Sequence, residues 1–225
     1  MKTTFVDSEV RHQVLLAGAL ALAVAGSLAV VVTLLAPGPL RLLMGAGVAL
    51  SVLLGLAAMC LPVQQRLLGR SVTRAPLPLA RFGGAMLAAI AGPLVTAKLL
   101  VALIAVAGSF VVDTEGAGAY AGIGVAWLIV PMALLVTGTA ALKLPALAMG
   151  RPIDTGEAIA LADGREWSLV PLGIALTGPF MLIAAGALLA ATGTLWGLAL
   201  LVPGTALFLP ANAALARRWQ RLQRA

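Results

Sequence analysis

The stretch KLPALAMGRPIDTGEAIALADGREW, residues 143–167, is the longest polar interruption in a sequence that is otherwise almost continuously apolar. It holds four of the chain's eight acidic residues: Asp154, Glu157, Asp163 and Glu166. Leu144-Pro145 closes an apolar run. Gly150-Arg151-Pro152 reads as a turn, because a proline pushes the residue before it out of the α region. Asp154 with Glu157 three residues on has the pattern of a capping box, with Asp in place of Ser or Thr. Gly164 suits the position just past a helix end. These signals predict a short helix over 155–163, with Ala158, Ile159 and Ala162 on one face. Trp167 follows where the chain turns apolar again, a place where an aromatic ring sits at headgroup level. Asp154, Glu157, Arg165 and Trp167 are thus the candidate residues of an interface segment. Two readings stand for it: a structured cytoplasmic loop, or an acidic surface that contacts a partner or ligand.

Outward from this stretch the composition decides the class. Of 225 residues, 61% are hydrophobic and only 10% charged, against about 25% charged in a soluble domain. Mean hydropathy is +1.07. Apolar runs fall at about 13–35, 42–61, 82–111, 119–142, 168–191 and 194–215. Each meets the ~20 residues a membrane helix needs. The expected fold is all-α, one polytopic domain over 1–225 with six transmembrane helices. Polar connections are expected at 62–81 and 143–167, with a basic tail at 216–225. The first run is too long for a signal-peptide core, and Asp7 and Glu9 spoil a basic leader, so it reads as a retained helix.

Charge gives orientation. With six spans both termini share a side, and that side collects 13 of the 14 basic residues that lie outside the spans' interiors. The opposite side has Arg41, together with Asp113 and Glu115. The positive-inside rule therefore predicts cytoplasmic termini in a bacterial inner membrane. The net charge of +7 does not point to nucleic acid: the basic residues flank apolar spans, and aromatics for base stacking are scarce at 4%. The tail residues Arg217, Arg218, Arg221 and Arg224 read as a helix end attracted to anionic lipids. Arginine outnumbers lysine 12 to 3, which with the many Ala, Gly and Leu residues fits a GC-rich bacterial genome.

Two segments resemble each other. LPVQQRLLGR (61–70) matches LPALAMGR (144–151), and GPLVTAKLLVALIAVAG (92–108) matches GPFMLIAAGALLAATG (178–193). They read as parallel repeats of spans 2–3 and 4–5, as some transporters have, or as the self-similarity of Ala/Leu/Gly-rich membrane sequence.

Leu144-Pro145, Gly150-Arg151-Pro152, Thr155-Gly156-Glu157-Ala158, Gly164 and Trp167 together resemble a bacterial family of six-span proteins. It is the family related to the membrane domain found in front of some glycerophosphodiester phosphodiesterases. The 62–81 segment departs from that pattern, having no Glu and no Trp. The resemblance implies a polytopic inner-membrane protein. It implies no enzyme activity, because the phosphodiesterase domain is a separate soluble module.

Lys98 is the residue that asks for a function. A lysine at a helix centre costs about 2.5–3.5 kcal/mol on insertion scales, and no span interior carries an Asp or Glu to offset it. Gly92-Pro93 can free carbonyls nearby, and Thr96 is close. Lys98, Thr96, Gly92 and Pro93 form a candidate anion or lipid-phosphate site in a cavity; the alternative is a lysine that snorkels or sits neutral. His12 has no ligand partner nearby in sequence, Cys60 reads as packing, and Asn212 can bond across helices. No HExxH, Walker A or GxSxG pattern appears. The expected function is a non-enzymatic accessory or envelope-associated membrane module, with no cofactor or metal. The alternative is a small transporter or lipid-handling protein that uses Lys98.

Overall fold

A computed structural model describes residues 8–72, 76–111 and 117–224. The acidic loop at Asp113 and Glu115 and the start of the N-terminal tail lie outside the described residues. The chain is all-helical there, and six helices are long and apolar enough to cross a membrane. In order these elements are α1 (Ser8–Leu34), α2 (Pro39–Leu67), α3 (Pro76–Val111), α4 (Ala117–Ala141), the short α5 (Lys143–Ala148) and α6 (Thr155–Ala162), α7 (Val170–Ala191) and α8 (Gly197–Leu222). A single 3₁₀ turn, Glu166–Leu169, leads into α7.

The spans pair as three hairpins, α1 with α2, α3 with α4, and α7 with α8, and the hairpins meet where α7 packs on α2 and α4. Small residues set how close they come. Without a hydrophobic drive between helices in lipid, close backbone approach supplies the attraction. At Gly138 a Cβ would stand 2.5 Å from the Leu169 carbonyl oxygen, and at Gly45 2.8 Å from that of Ala191. Gly186 of α7 and Gly197 of α8 face each other in the same way. The interior holds Leu56, Phe82, Met86, Leu142, Phe208 and Trp219. The outside carries large apolar side chains, including Leu34, Leu99 and Leu188 at 80%, 66% and 67% exposure. So broad an apolar surface is what a bilayer covers.

One end gathers the polar connections. Val10, Val63 and Ala213 cluster there. Gln220 Nε2 donates to the Leu67 carbonyl at 2.9 Å, and Arg218 donates to the Ser168 hydroxyl. This is the basic end. At the other end Arg41 Nη2 donates to the Thr192 carbonyl at 2.9 Å, covering a free acceptor past the end of α7.

The 62–81 connection is shorter than its polarity implies. α2 carries Pro62 within it and continues to Leu67, and α3 already begins at Pro76. The reason is burial: Gln64 and Gln65 are 0% and 5% exposed, packed into the bundle instead of solvated. The 143–167 segment is likewise two short helices and a 3₁₀ turn rather than open loop.

The segments that resemble each other end alike. After Leu61-Pro62, Gly69 has φ 75°, and after Leu144-Pro145, Gly150 has φ 71°. Arg70 N–H bonds the Gln65 carbonyl and Gly69 N–H that of Arg66; Arg151 N–H bonds Ala146 and Gly150 N–H bonds Leu147. Both are Schellman closures, which need a residue in the left-handed region. They are also neighbours, since a Cβ on Gly150 would lie 3.4 Å from an Arg70 guanidinium nitrogen.

Candidate functional site

A further Leu-Pro pair, Leu209-Pro210, lies in α8 and does not appear among the repeats read from sequence. No glycine follows it at the matching step, and α8 runs on to Leu222. That extension builds the site. Three polar contacts fix it against α2. Gln64 Nε2 donates to Asn212 Oδ1 at 2.6 Å, Asn212 Nδ2 to the Cys60 carbonyl at 3.5 Å, and Gln220 to the Leu67 carbonyl. Cys60, Gln64 and Leu67 share one helical face by their spacing, as do Asn212 and Gln220. Gln64 and Asn212 are both fully buried. In an apolar interior the alternative to such a bond is an unmet polar group, so the contacts pin the rotation of α8.

With α8 held so, its arginines open onto two crevices. The first, about 410 Å³, lies between α1, α2 and α8. Its wall is apolar, with Leu15, Val63, Leu209 and Pro210, and Arg11 and Arg217 stand on it. On α8 it runs from Ala206 to Arg217, about 16 Å at 1.5 Å per residue. That is close to one leaflet of a hydrocarbon core about 30 Å thick. The second crevice, about 420 Å³, lies between α7 and α8. Ser168, Arg217, Arg218 and Arg221 line it, above Pro171 and Leu172. Among the described residues neither lining contains an acidic side chain. The arrangement can hold an anion at the surface and a hydrocarbon chain beneath it.

The residues singled out from sequence are placed as follows. Lys98, Thr96 and Gly92 are exposed on α3 and Pro93 is half-buried; none of them lines either crevice. The Thr96 hydroxyl donates to the Gly92 carbonyl at 3.0 Å, so that carbonyl is used within the helix. Asp154 and Glu157 form the capping box: Asp154 Oδ1 accepts from Glu157 N–H at 2.7 Å, and Glu157 Oε2 accepts from Asp154 N–H at 3.2 Å. The Lys143 ammonium donates to the Thr155 hydroxyl. α6 buries Ala158 and Ala162, while Ile159, expected on that face, is 56% exposed. Arg165 and Trp167 are exposed. His12 is exposed and Cys60 is fully buried. Among the described residues no three His, Cys, Asp or Glu side chains are grouped so as to hold a metal ion.

No family model, curated protein or solved structure matches this chain. Its reading therefore rests on the geometry above. Arg11 does not stand out in the sequence, because nothing local marks it; it matters only beside Arg217, 206 positions away (217 − 11).

Proposed function

We propose that this chain is a non-enzymatic multi-pass membrane module that holds anionic phospholipid at its basic end. The observation that carries the reading is the first crevice. Arg11 of α1 and Arg217 of α8 frame an apolar slot one leaflet deep, with no acid among the described residues of its lining. Each arginine near an anionic surface contributes about 1 kcal/mol. The second crevice adds Arg218 and Arg221 on the opposite side of α8. The gathering of basic residues at this end supports placing it, with both termini, on the cytoplasmic side of a bacterial inner membrane. Lipid handling then rests on these arginines and not on Lys98.

The test is the lipid that stays with the protein through gentle detergent extraction. Phosphatidylglycerol and cardiolipin should be enriched over their share of the source membrane. A variant with Arg217→Gln, Arg218→Gln and Arg221→Gln should lose the enrichment while keeping its helicity. Retained lipid of the same composition as the membrane would contradict the reading.

A further inference from the structure

The two arginine crevices share a residue. Arg217 lines both, with Arg11 in the first and Arg218 and Arg221 in the second. Ala206, Pro210, Ala214, Arg217 and Arg221 are all exposed, at spacings of four, eight, eleven and fifteen from Ala206, which puts them on one stripe of α8. Ala206 and Pro210 belong to the first crevice, Ala214 and Arg221 to the second. The crevices therefore open on either side of this stripe, with Arg217 at their seam. Below Arg217 the stripe is Ala214, Pro210 and Ala206, a low ridge between two apolar walls.

The arginines along the seam are not satisfied by the chain. Among the described residues the guanidinium groups of Arg217 and Arg221 have no hydrogen-bond or ion-pair partner. Arg218 donates one N–H to the Ser168 hydroxyl, and its Nε has no acceptor. A guanidinium fork suits the oxygens of a phosphate, and here several forks stand together above apolar side chains.

We infer, resting on the reading of this end as an anionic-lipid site, that its preferred occupant is a diphosphatidyl lipid of the cardiolipin type, seated astride α8. Such a lipid joins two phosphates through one glycerol and carries four acyl chains. One phosphate meets Arg11 and Arg217, the other Arg218 and Arg221, and the chains descend on both sides of the Pro210–Ala214 ridge. Two separate monophosphate lipids can fill the same crevices, but they compete for Arg217 and each bears its own cost of association. When the phosphates are joined, the second contact is intramolecular, and affinity rises without any new contact. Basic pockets between membrane helices on the cytoplasmic side suit head groups of this kind.

The experiment is a titration of the full chain, followed by native mass spectrometry, with cardiolipin, phosphatidylglycerol and phosphatidylcholine of matched acyl chains. Cardiolipin should bind at least about tenfold more tightly than phosphatidylglycerol, and one cardiolipin should displace two phosphatidylglycerols. Arg218→Gln with Arg221→Gln removes the second phosphate's contacts and should bring cardiolipin down to the phosphatidylglycerol level. Ala214→Leu raises the ridge with every charge in place and should do the same. Both variants should still prefer phosphatidylglycerol to phosphatidylcholine through Arg11 and Arg217, which also shows that they are folded. A parent that prefers phosphatidylglycerol to phosphatidylcholine but binds cardiolipin no more tightly overturns this inference alone. So does a cardiolipin advantage that survives the double variant, or one that survives Ala214→Leu, which is attraction by net charge only. A parent with no preference for phosphatidylglycerol over phosphatidylcholine removes the underlying lipid reading and this inference with it.

Discussion

Gln64 of α2 and Asn212 of α8 stand at the same step after a Leu-Pro pair, two residues past Pro62 and Pro210, and they hydrogen bond to each other at 2.6 Å. Two Leu-Pro pairs on facing helices thus set side chains at the same step that meet. After Leu77-Pro78 and Leu144-Pro145 the same step is Ala80 and Leu147, which cannot make this polar contact. This bond, with Gln220 on the Leu67 carbonyl, holds the helix that carries Arg217.

Breaking that bond from one side should cost more than removing it from both. Asn212→Leu leaves a buried Gln64 amide without its acceptor, at about 1–3 kcal/mol. Gln64→Leu with Asn212→Leu should recover most of the loss, since an apolar pair leaves nothing unmet. Unfolding midpoints of the two single variants and the double variant in mixed detergent check this. Additive losses would mean the two residues act separately.

Gly197 should resist even alanine. Its Cβ would press on the Gly186 carbonyl, and a Cβ on Gly186 would lie 2.6 Å from the Gly197 carbonyl. Gly197→Ala should destabilise by ~1–3 kcal/mol as α7 and α8 are forced apart. Gly84→Ala, where a Cβ meets nothing within 4 Å, should be neutral or gain up to about 1 kcal/mol from helix propensity. Thermal unfolding followed by circular dichroism separates the two.

The membrane class and six spans were legible because they rest on one-dimensional signals: apolar length and the placement of charge. The capped helix was legible for the same reason, since Asp154 and Glu157 satisfy each other three residues apart. Helix ends at the basic side were not. Gln64 and Gln65 look like loop residues until their burial is known, Gln64 against Asn212 of α8. The first crevice was out of reach as well, because Arg11 and Arg217 are neighbours only after α1, α2 and α8 pack. Lys98 was visible in sequence, but the side of α3 it occupies was not.

The cap on α6 has its own test. Asp154→Ala with Glu157→Ala should cost about 1 kcal/mol locally and leave insertion unchanged, because insertion energy lies in the spans. On inside-out vesicles, protease should cut between Thr155 and Gly164 faster than in the parent. Unchanged cleavage would show that packing of Ala158 and Ala162 holds α6 without its cap.

Orientation is read by fusing a reporter that is active only in the periplasm. Fusions after Gly38 or Gly116 should be active. Fusions after Arg70, Gly156 or Arg224 should be silent, in keeping with the basic end facing the cytoplasm. Activity at Gly156 would reverse the orientation and move the arginine crevices to the other leaflet.

The measurement closest to the central claim is a lipid titration of the purified chain by native mass spectrometry, comparing phosphatidylglycerol with phosphatidylcholine. The parent should bind phosphatidylglycerol more tightly. Arg11→Gln and Arg217→Gln, on helices at opposite ends of the chain, should each weaken it by about fivefold, the equivalent of ~1 kcal/mol per arginine. Binding of phosphatidylcholine should not move in either variant. Equal affinity of the parent for the two lipids, or a phosphatidylglycerol preference that survives loss of both arginines, would contradict the account.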